Sequence, residues 1–192
     1  MRKAFLLMLA VFAVAMGTAQ AQSNIFKVNV ISPIVRTGSV FYERTISEDK
    51  SVQLGFFYTG FSVDETKFSG FGITPEFRKY LSQSKQAPTG FYVAPFLRYQ
   101  SFNLKAKESG WYDEETGEYT DIDAKATYST FGGGLLIGGQ WVFAERFVLD
   151  TFFGPSYNAG SIKVKSGSED NFDTGAFGGF GIRTGVAFGL KF

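Results

Sequence analysis

The chain has 192 residues, with 23 phenylalanines and 23 glycines but no cysteine and no histidine. That length suits one domain and a short leader better than two domains. The missing residue types exclude disulfides, thiolate or histidine metal sites and histidine-dependent catalysis, and a formal charge of +1 gives no field directed at nucleic acid.

Met1-Arg2-Lys3 is a short basic head, Ala4 to Met16 is an apolar run of thirteen residues, and Ala19-Gln20-Ala21 fits a small-x-small cleavage site. This reads as a secretory signal peptide over 1–21, followed by one β-barrel domain over 22–192. A membrane anchor is the alternative, but a spanning helix needs ~20 apolar residues. Without Arg2 and Lys3, the 19 basic residues become 17 against 18 acidic ones, a net of −1. No later stretch is long and apolar enough for a spanning helix, so any membrane crossing has to be made by strands.

Strand periodicity starts at once. Asn24 to Ile31 alternates Phe26, Val28 and Val30 with Lys27 and Asn29, and Ser39 to Ile46 sets Val40 and Tyr42 against Phe41 and Glu43. Ser47 to Lys50 is a tight polar turn. A third strand follows, with Val52, Leu54, Phe56 and Tyr58 opposite Gln53, Gly55, Phe57 and Thr59. A loop is expected over Asp64 to Gly70, then a fourth strand with Phe71, Ile73, Pro75 and Phe77 on one face, where Pro75 marks a bulge. Gln83 to Gly90 turns the chain into a fifth strand, Phe91 to Leu104. A long polar loop, Lys105 to Ala124, precedes a sixth, Lys125 to Phe143; a turn at Ala144-Glu145-Arg146 precedes a seventh, Phe147 to Val164. After a last loop, Lys165 to Gly175, the closing strand alternates Phe180, Ile182, Thr184, Val186, Phe188, Leu190 and Phe192 with Gly181, Arg183, Gly185, Ala187, Gly189 and Lys191.

Eight strands, each with one greasy face and one small, polar or charged face, predict an all-β fold: an eight-stranded antiparallel transmembrane up-and-down barrel with lipid outside and a crowded lumen inside. Placing both ends in the periplasm puts the turns at Ser47, Gln83 and Ala144 there and sends the longer connections outward. Outward aromatics recur eight or ten positions apart on single strands: Phe91 and Tyr99, Phe131 and Trp141, Phe147 and Tyr157. At ~3.3 Å rise and ~40° tilt this covers roughly 20–25 Å, the height of an apolar band, so these residues and Phe192 form the interfacial girdles. A soluble lipocalin-like barrel is the alternative; its outer faces would carry many Lys, Glu and Asp, and these faces do not.

The same register turns Glu43, Glu76 and Asp150 inward with Lys27, Arg78, Arg98, Arg183 and Lys191. Isolated charges there would each cost several kcal/mol, so a structural salt-bridge network is expected among Glu43, Glu76, Arg78, Arg98, Asp150 and Arg183, with Glu76, Arg98 and Arg183 at its middle. Inward Phe57, Tyr92, Phe96, Tyr128 and Phe152 need room, which the glycines of strands six and eight would supply. Such a lumen is filled, and no nucleophile sits with a base in it. The chain is therefore read as non-enzymatic, with no cofactor.

In the third outer loop, Trp111, Tyr112, Glu114, Glu115 and Tyr119 mix aromatics with acids. Acidic oxygens there could take a divalent cation, but the spacing fits no known calcium loop. The mixture reads instead as a docking surface for another outer-membrane protein.

The spacing Arg183-x-Gly185-x-x-Phe188-x-Leu190, with Phe192 last, resembles the C-terminal signal read by outer-membrane assembly machinery. The block from Asn24 to Phe61, with SPIVRTGSVFYER followed by SVQLGFFYTG, resembles the start of small outer-membrane barrels common in Bacteroidota, a family of unknown function similar in fold to OmpA/OmpX-type barrels. The resemblance implies a cell outer-membrane location, contact with membrane lipid and lipopolysaccharide, and handling by the assembly machinery. It implies no activity, and the peptidoglycan-binding domain of OmpA has no counterpart here. The expected role is structural or interactive, with the chain free in the membrane or an accessory subunit of a larger assembly; the alternative is a narrow channel for ions or small solutes.

Overall fold

The computed structural model describes residues 23–63, 66–82, 86–108, 122–166 and 178–192. The signal-peptide segment and the residues of the expected docking loop lie outside them. Eight antiparallel strands close into one barrel: β1 (Asn24–Asn29), β2 (Thr37–Ser47), β3 (Lys50–Val63), β4 (Thr66–Tyr80), β5 (Gly90–Glu108), β6 (Ile122–Phe143), β7 (Phe147–Ser166) and β8 (Gly179–Lys191). Each strand pairs with its sequence neighbours, and β8 returns to β1 with Phe188 opposite Val28. Closure pairs every strand on both sides around the lower barrel, as a sheet in hydrocarbon requires.

The alternation expected from the sequence is the alternation seen. Lys27 and Asn29 point in while Phe26 and Val28 point out, and the same parity holds along β2 to β8. Several of the expectations change; residues 105–108 and 122–124, expected within a loop, are paired strand. Residues 66–70 are strand rather than loop, because β3 and β4 stay paired as far as Val63 opposite Thr66. The expected contrast of short turns below and long loops above therefore fails for this hairpin. Pro75 causes no bulge: it sits opposite Leu54 in an unbroken β3–β4 register, facing outward. What it does affect is the other side, where the β4–β5 pairing skips Thr74 and Pro75, and skips Phe77 and Arg78 near Pro95, without changing register. A proline has no N–H to give the ladder, so two in one seam thin it.

At one end of the barrel, here the lower, lie Asn24, Phe192 and the connections after β2, β4 and β6. The β6–β7 turn puts Ala144 and Glu145 at positive φ, 47° and 60°. The β4–β5 connection folds across this mouth: Ala87 N–H donates to Glu48 O at 2.7 Å, and Pro88 is buried. At the upper end a single 3₁₀ turn, Ser32–Val35, links β1 to β2, and Arg36 ends it in the left-handed region at φ 53°.

Strand lengths are unequal. At ~3.3 Å per residue and ~40° tilt, the 22 residues of β6 reach about 55 Å, roughly twice an apolar band of ~25 Å. β1 has 6 residues and β8 has 13, so the upper rim is tall along β3–β7 and low along β8–β1–β2. Polarity reverses on the tall wall. Below, the outer face carries Leu97, Tyr99, Phe131, Leu135 and Tyr157; above, it carries Lys67, Asn103, Lys105, Lys125, Lys163 and Lys165. Inside, the upper wall holds an apolar cluster of Phe102, Leu104, Ala126 and Tyr128, packed with Phe57, Phe68, Ile162 and Val164.

Candidate functional site: the charged lumen

Strand parity turns the charges inward and the stagger between strands brings them to one layer: Lys27 on β1, Glu43 on β2, Glu76 and Arg78 on β4, Asp150 on β7 and Arg183 on β8. Lys27 Nζ donates to Glu43 Oε2 at 2.6 Å, Asp150 Oδ2 at 2.7 Å and Gln140 Oε1 at 2.7 Å, which uses all three of its hydrogens. Arg78 donates through Nε to Glu76 Oε1 at 2.6 Å and through Nη1 to Asp150 Oδ2 at 2.8 Å. Its guanidinium lies 4.3 Å from the centre of the Tyr92 ring. Arg183 Nη1 reaches the other oxygen of Glu76 at 2.7 Å.

Neutral donors complete the set. Glu43 Oε1 accepts from Ser51 Oγ at 2.5 Å and Tyr80 OH at 2.7 Å, and Asp150 Oδ1 accepts from Tyr92 OH at 2.7 Å. Gln140 Nε2 donates to Pro88 O at 2.8 Å, tying the layer to the connection that covers the lower mouth. Lys27, Glu43, Arg78, Gln140 and Asp150 are wholly buried. Three cations (Lys27, Arg78, Arg183) meet three anions (Glu43, Glu76, Asp150), so the layer is neutral. Burial makes each of these charges costly alone and tolerable only as a satisfied set. Every carboxylate oxygen in the layer accepts a hydrogen bond, which leaves no base turned to an open space. What the layer does chemically is cross-brace the ring.

The centre differs from the expected one. Arg98, placed at the middle by sequence reasoning, stands outside the network: among the described residues it makes no ion pair, and Nε donates only to Thr74 Oγ1 at 3.2 Å. It stands two residues further up β5 than Phe96, the residue opposite Glu76. The working centre is Lys27, with Tyr80, Tyr92, Gln140 and Ser51 as partners that sequence reasoning did not single out. Their inward parity was the available signal; which inward residues meet across the lumen depends on the stagger between strands, which no single strand encodes.

Space for the inward rings comes from glycines, over a wider set than strands six and eight. Gly138 and Gly134 on β6 face Tyr92 and Phe96, Gly185 on β8 faces Phe152, and Gly72 on β4 faces Phe57; a Cβ on Gly134 would sit 2.9 Å from the Phe96 ring. Phe41 and Phe152 meet edge to face at 5.9 Å and close the layer above the ion pairs.

Outside, Phe91, Tyr99, Phe131, Phe147, Tyr157 and Phe192 are exposed, and Trp141 is half-buried against Phe91 with ring centres 6.3 Å apart. Tyr58, Phe71, Tyr99, Phe131 and Tyr157 lie on neighbouring strands at one height, and Phe147 stacks on Phe188 at 6.1 Å near the lower end. On β8, Gly185 points in while Phe188 and Leu190 point out, and Phe192 is held by its N–H on Asn24 O at 2.8 Å. A buried charged interior under a continuous apolar exterior is the reverse of a water-soluble barrel. The chain is a membrane β-barrel.

Several solved structures have a similar outline. A major outer membrane protein from Thermus thermophilus has 10% identity, with 90% of this chain and 100% of that one aligned at a TM-score of 0.48. Neisserial surface protein A has 11% identity, covering 88% and 93%, at 0.44. The N-terminal β-barrel domain of Pseudomonas aeruginosa OprF has 12%, covering 90% and 98%, at 0.37. No curated protein sequence matches the chain. Residues 5–155 match the family model described as "Protein of unknown function (DUF3575)", and the chain belongs to that family.

Proposed function

We propose that the protein is a non-enzymatic barrel of the cell outer membrane with a structural or interaction role, exported by a signal peptide cleaved after Ala21. The observation that carries this reading is the reversed polarity: an apolar outer belt between two aromatic girdles around a neutral ionic layer in which every carboxylate oxygen accepts a hydrogen bond. The belt supports a lipid environment, with lipopolysaccharide at the upper girdle. The ionic layer and the β4–β5 connection beneath it support a closed lumen. The β8 pattern at Gly185, Phe188, Leu190 and Phe192 supports recognition by the assembly machinery. Trp111, Tyr112, Glu114, Glu115 and Tyr119 are the proposed docking surface for an outer-membrane partner.

The deciding experiment is extraction from membranes in mild detergent, followed by native sizing and mass spectrometry of whatever co-migrates. A stoichiometric complex is the expected result for an accessory subunit, lost on deleting Gly110 to Ile122. A lone small species would leave a free-standing barrel, and recovery in the soluble fraction would overturn the membrane reading. The channel alternative predicts stable, reproducible current steps in a planar bilayer; the ionic layer predicts silence.

A further inference from the structure

Among the described residues, the charges deep in the lumen do not sum to zero. Lys27, Arg78, Arg98 and Arg183 face Glu43, Glu76 and Asp150, and the ion pairs already described use every member except Arg98. Arg98 is half-buried and borders a cavity of about 280 Å³ above the ionic layer, roofed by Ser32 and Val35 of the β1–β2 connection. A buried cation without a counter-charge is expensive, and at ~30 Å³ per water the space holds several waters or one small organic molecule.

The lining is of two kinds. Arg98 and Arg183 lie over the same Phe96 ring, 5.7 Å and 4.7 Å from its centre, so two guanidinium groups converge on one end of the cavity. Thr74, bonded to Arg98, adds a hydroxyl there. The remaining wall mixes Phe41, Phe57 and Phe152 with the polar Asn29, Thr37 and Ser39. A planar guanidinium matches a carboxylate through paired N–H donors, and an apolar wall beside a few placed polar groups is the usual make-up of a small-molecule site.

We infer that this cavity is a binding site for a small organic monoanion, a carboxylate with a compact apolar body, held by Arg98 with Arg183 beside it. One unmatched positive charge calls for one negative charge; the phenylalanines call for a body that prefers them to water. Arg183 already serves Glu76, so Arg98 is the residue on which affinity depends.

The test uses the full protein in detergent micelles with benzoate as the probe, read by calorimetry and by the thermal unfolding midpoint. Benzoate is expected to bind one per protein and to raise the midpoint, and Arg98→Met is expected to weaken binding at least tenfold and to abolish the rise. Arg98→Met replaces an unmatched charge by an apolar chain of similar length, so without ligand it should melt no lower than the parent. Arg98→Lys, keeping the charge but not the planar fork, should bind with intermediate affinity. Equal benzoate binding by the parent and Arg98→Met would overturn the proposal. So would a site saturated by inorganic phosphate and indifferent to benzoate, or an Arg98→Met protein that unfolds far more easily, since Arg98 would then be a brace rather than a receptor.

Discussion

Along β5 the outward residues run Phe91, Leu97, Tyr99 and then Ser101, Asn103, Lys105, while the inward ones run Tyr92, Arg98, Gln100 and then Phe102, Leu104. The strand does not bulge or slip between the two halves; its pairing with β6 keeps one register from Gly90 to Lys105. Only the polarity of its two faces is exchanged. Below Tyr99 the outside is apolar and the inside charged, as in lipid; above it the outside carries lysines and the inside packs phenylalanine and leucine, as in water. The barrel is thus two proteins built on one cylinder, and the aromatic girdle marks the level at which the surrounding solvent changes. The hydrophobic effect organises the upper wall from within. In the lower wall the interior is mixed: a buried cluster that includes Phe41, Phe96, Leu136 and Phe152 packs beside the ion pairs, and these with the closed backbone ladder hold the ring.

Substitutions sharpen the contrast. The largest effect is expected below, where Arg78→Met leaves Glu76 and Asp150 short of partners: a loss of about 3–5 kcal/mol in urea unfolding from micelles. Next, Ile137→Arg on the lower outer face should cost about 2–4 kcal/mol and Ser161→Arg on the upper outer face about 0–1 kcal/mol. Equal costs at the two sites would remove the proposed boundary. Gly138→Ala pushes a methyl into Tyr92, loosening its bond to Asp150 and its stacking under Arg78, for about 1–3 kcal/mol; Tyr92→Leu should restore the room but not the bond.

The smallest effect is expected at the lower turn, in water again. The Lys79 ammonium and the Ser47 hydroxyl, both hydrogen-bonded to Asp49, hold its carboxyl below the usual carboxylate range. That contribution is present above the unfolded value of ~3.9 and is lost as pH falls toward the lowered folded value. Asp49→Asn should therefore lower the unfolding midpoint slightly from neutral pH down to about pH 4, and leave it nearly unchanged only once the pH has fallen below the lowered folded value.

Strand number, order and facing were legible because period-two alternation is local and a membrane makes it emphatic. The upper reaches of the wall were not. Residues 67–70, with Lys67, Ser69 and Gly70, read as a loop because a strand with water on its outer face carries the polar residues of a loop, and only the pairing partner tells them apart. The lumen divides the same way. That Glu76, Asp150 and Arg183 point inward follows from sequence; that Arg98 misses them while Lys27 gathers two carboxylates follows from the stagger of strands far apart in the chain.

A cylinder one strand thick has no second layer to stand in for a missing bond. Where Pro75 and Pro95 share the β4–β5 seam, the ladder is interrupted at mid-belt height, on the same wall that carries Arg78 and Arg98. Solvent deuterium reaching the lumen from above would find its earliest entry there, at Thr74 and Leu97, while the amides of the β5–β6 seam, paired without a gap from Gly90 to Glu108, stay protonated. The protein's slow breathing should start along that one seam, although its charged layer draws on strands all round the ring.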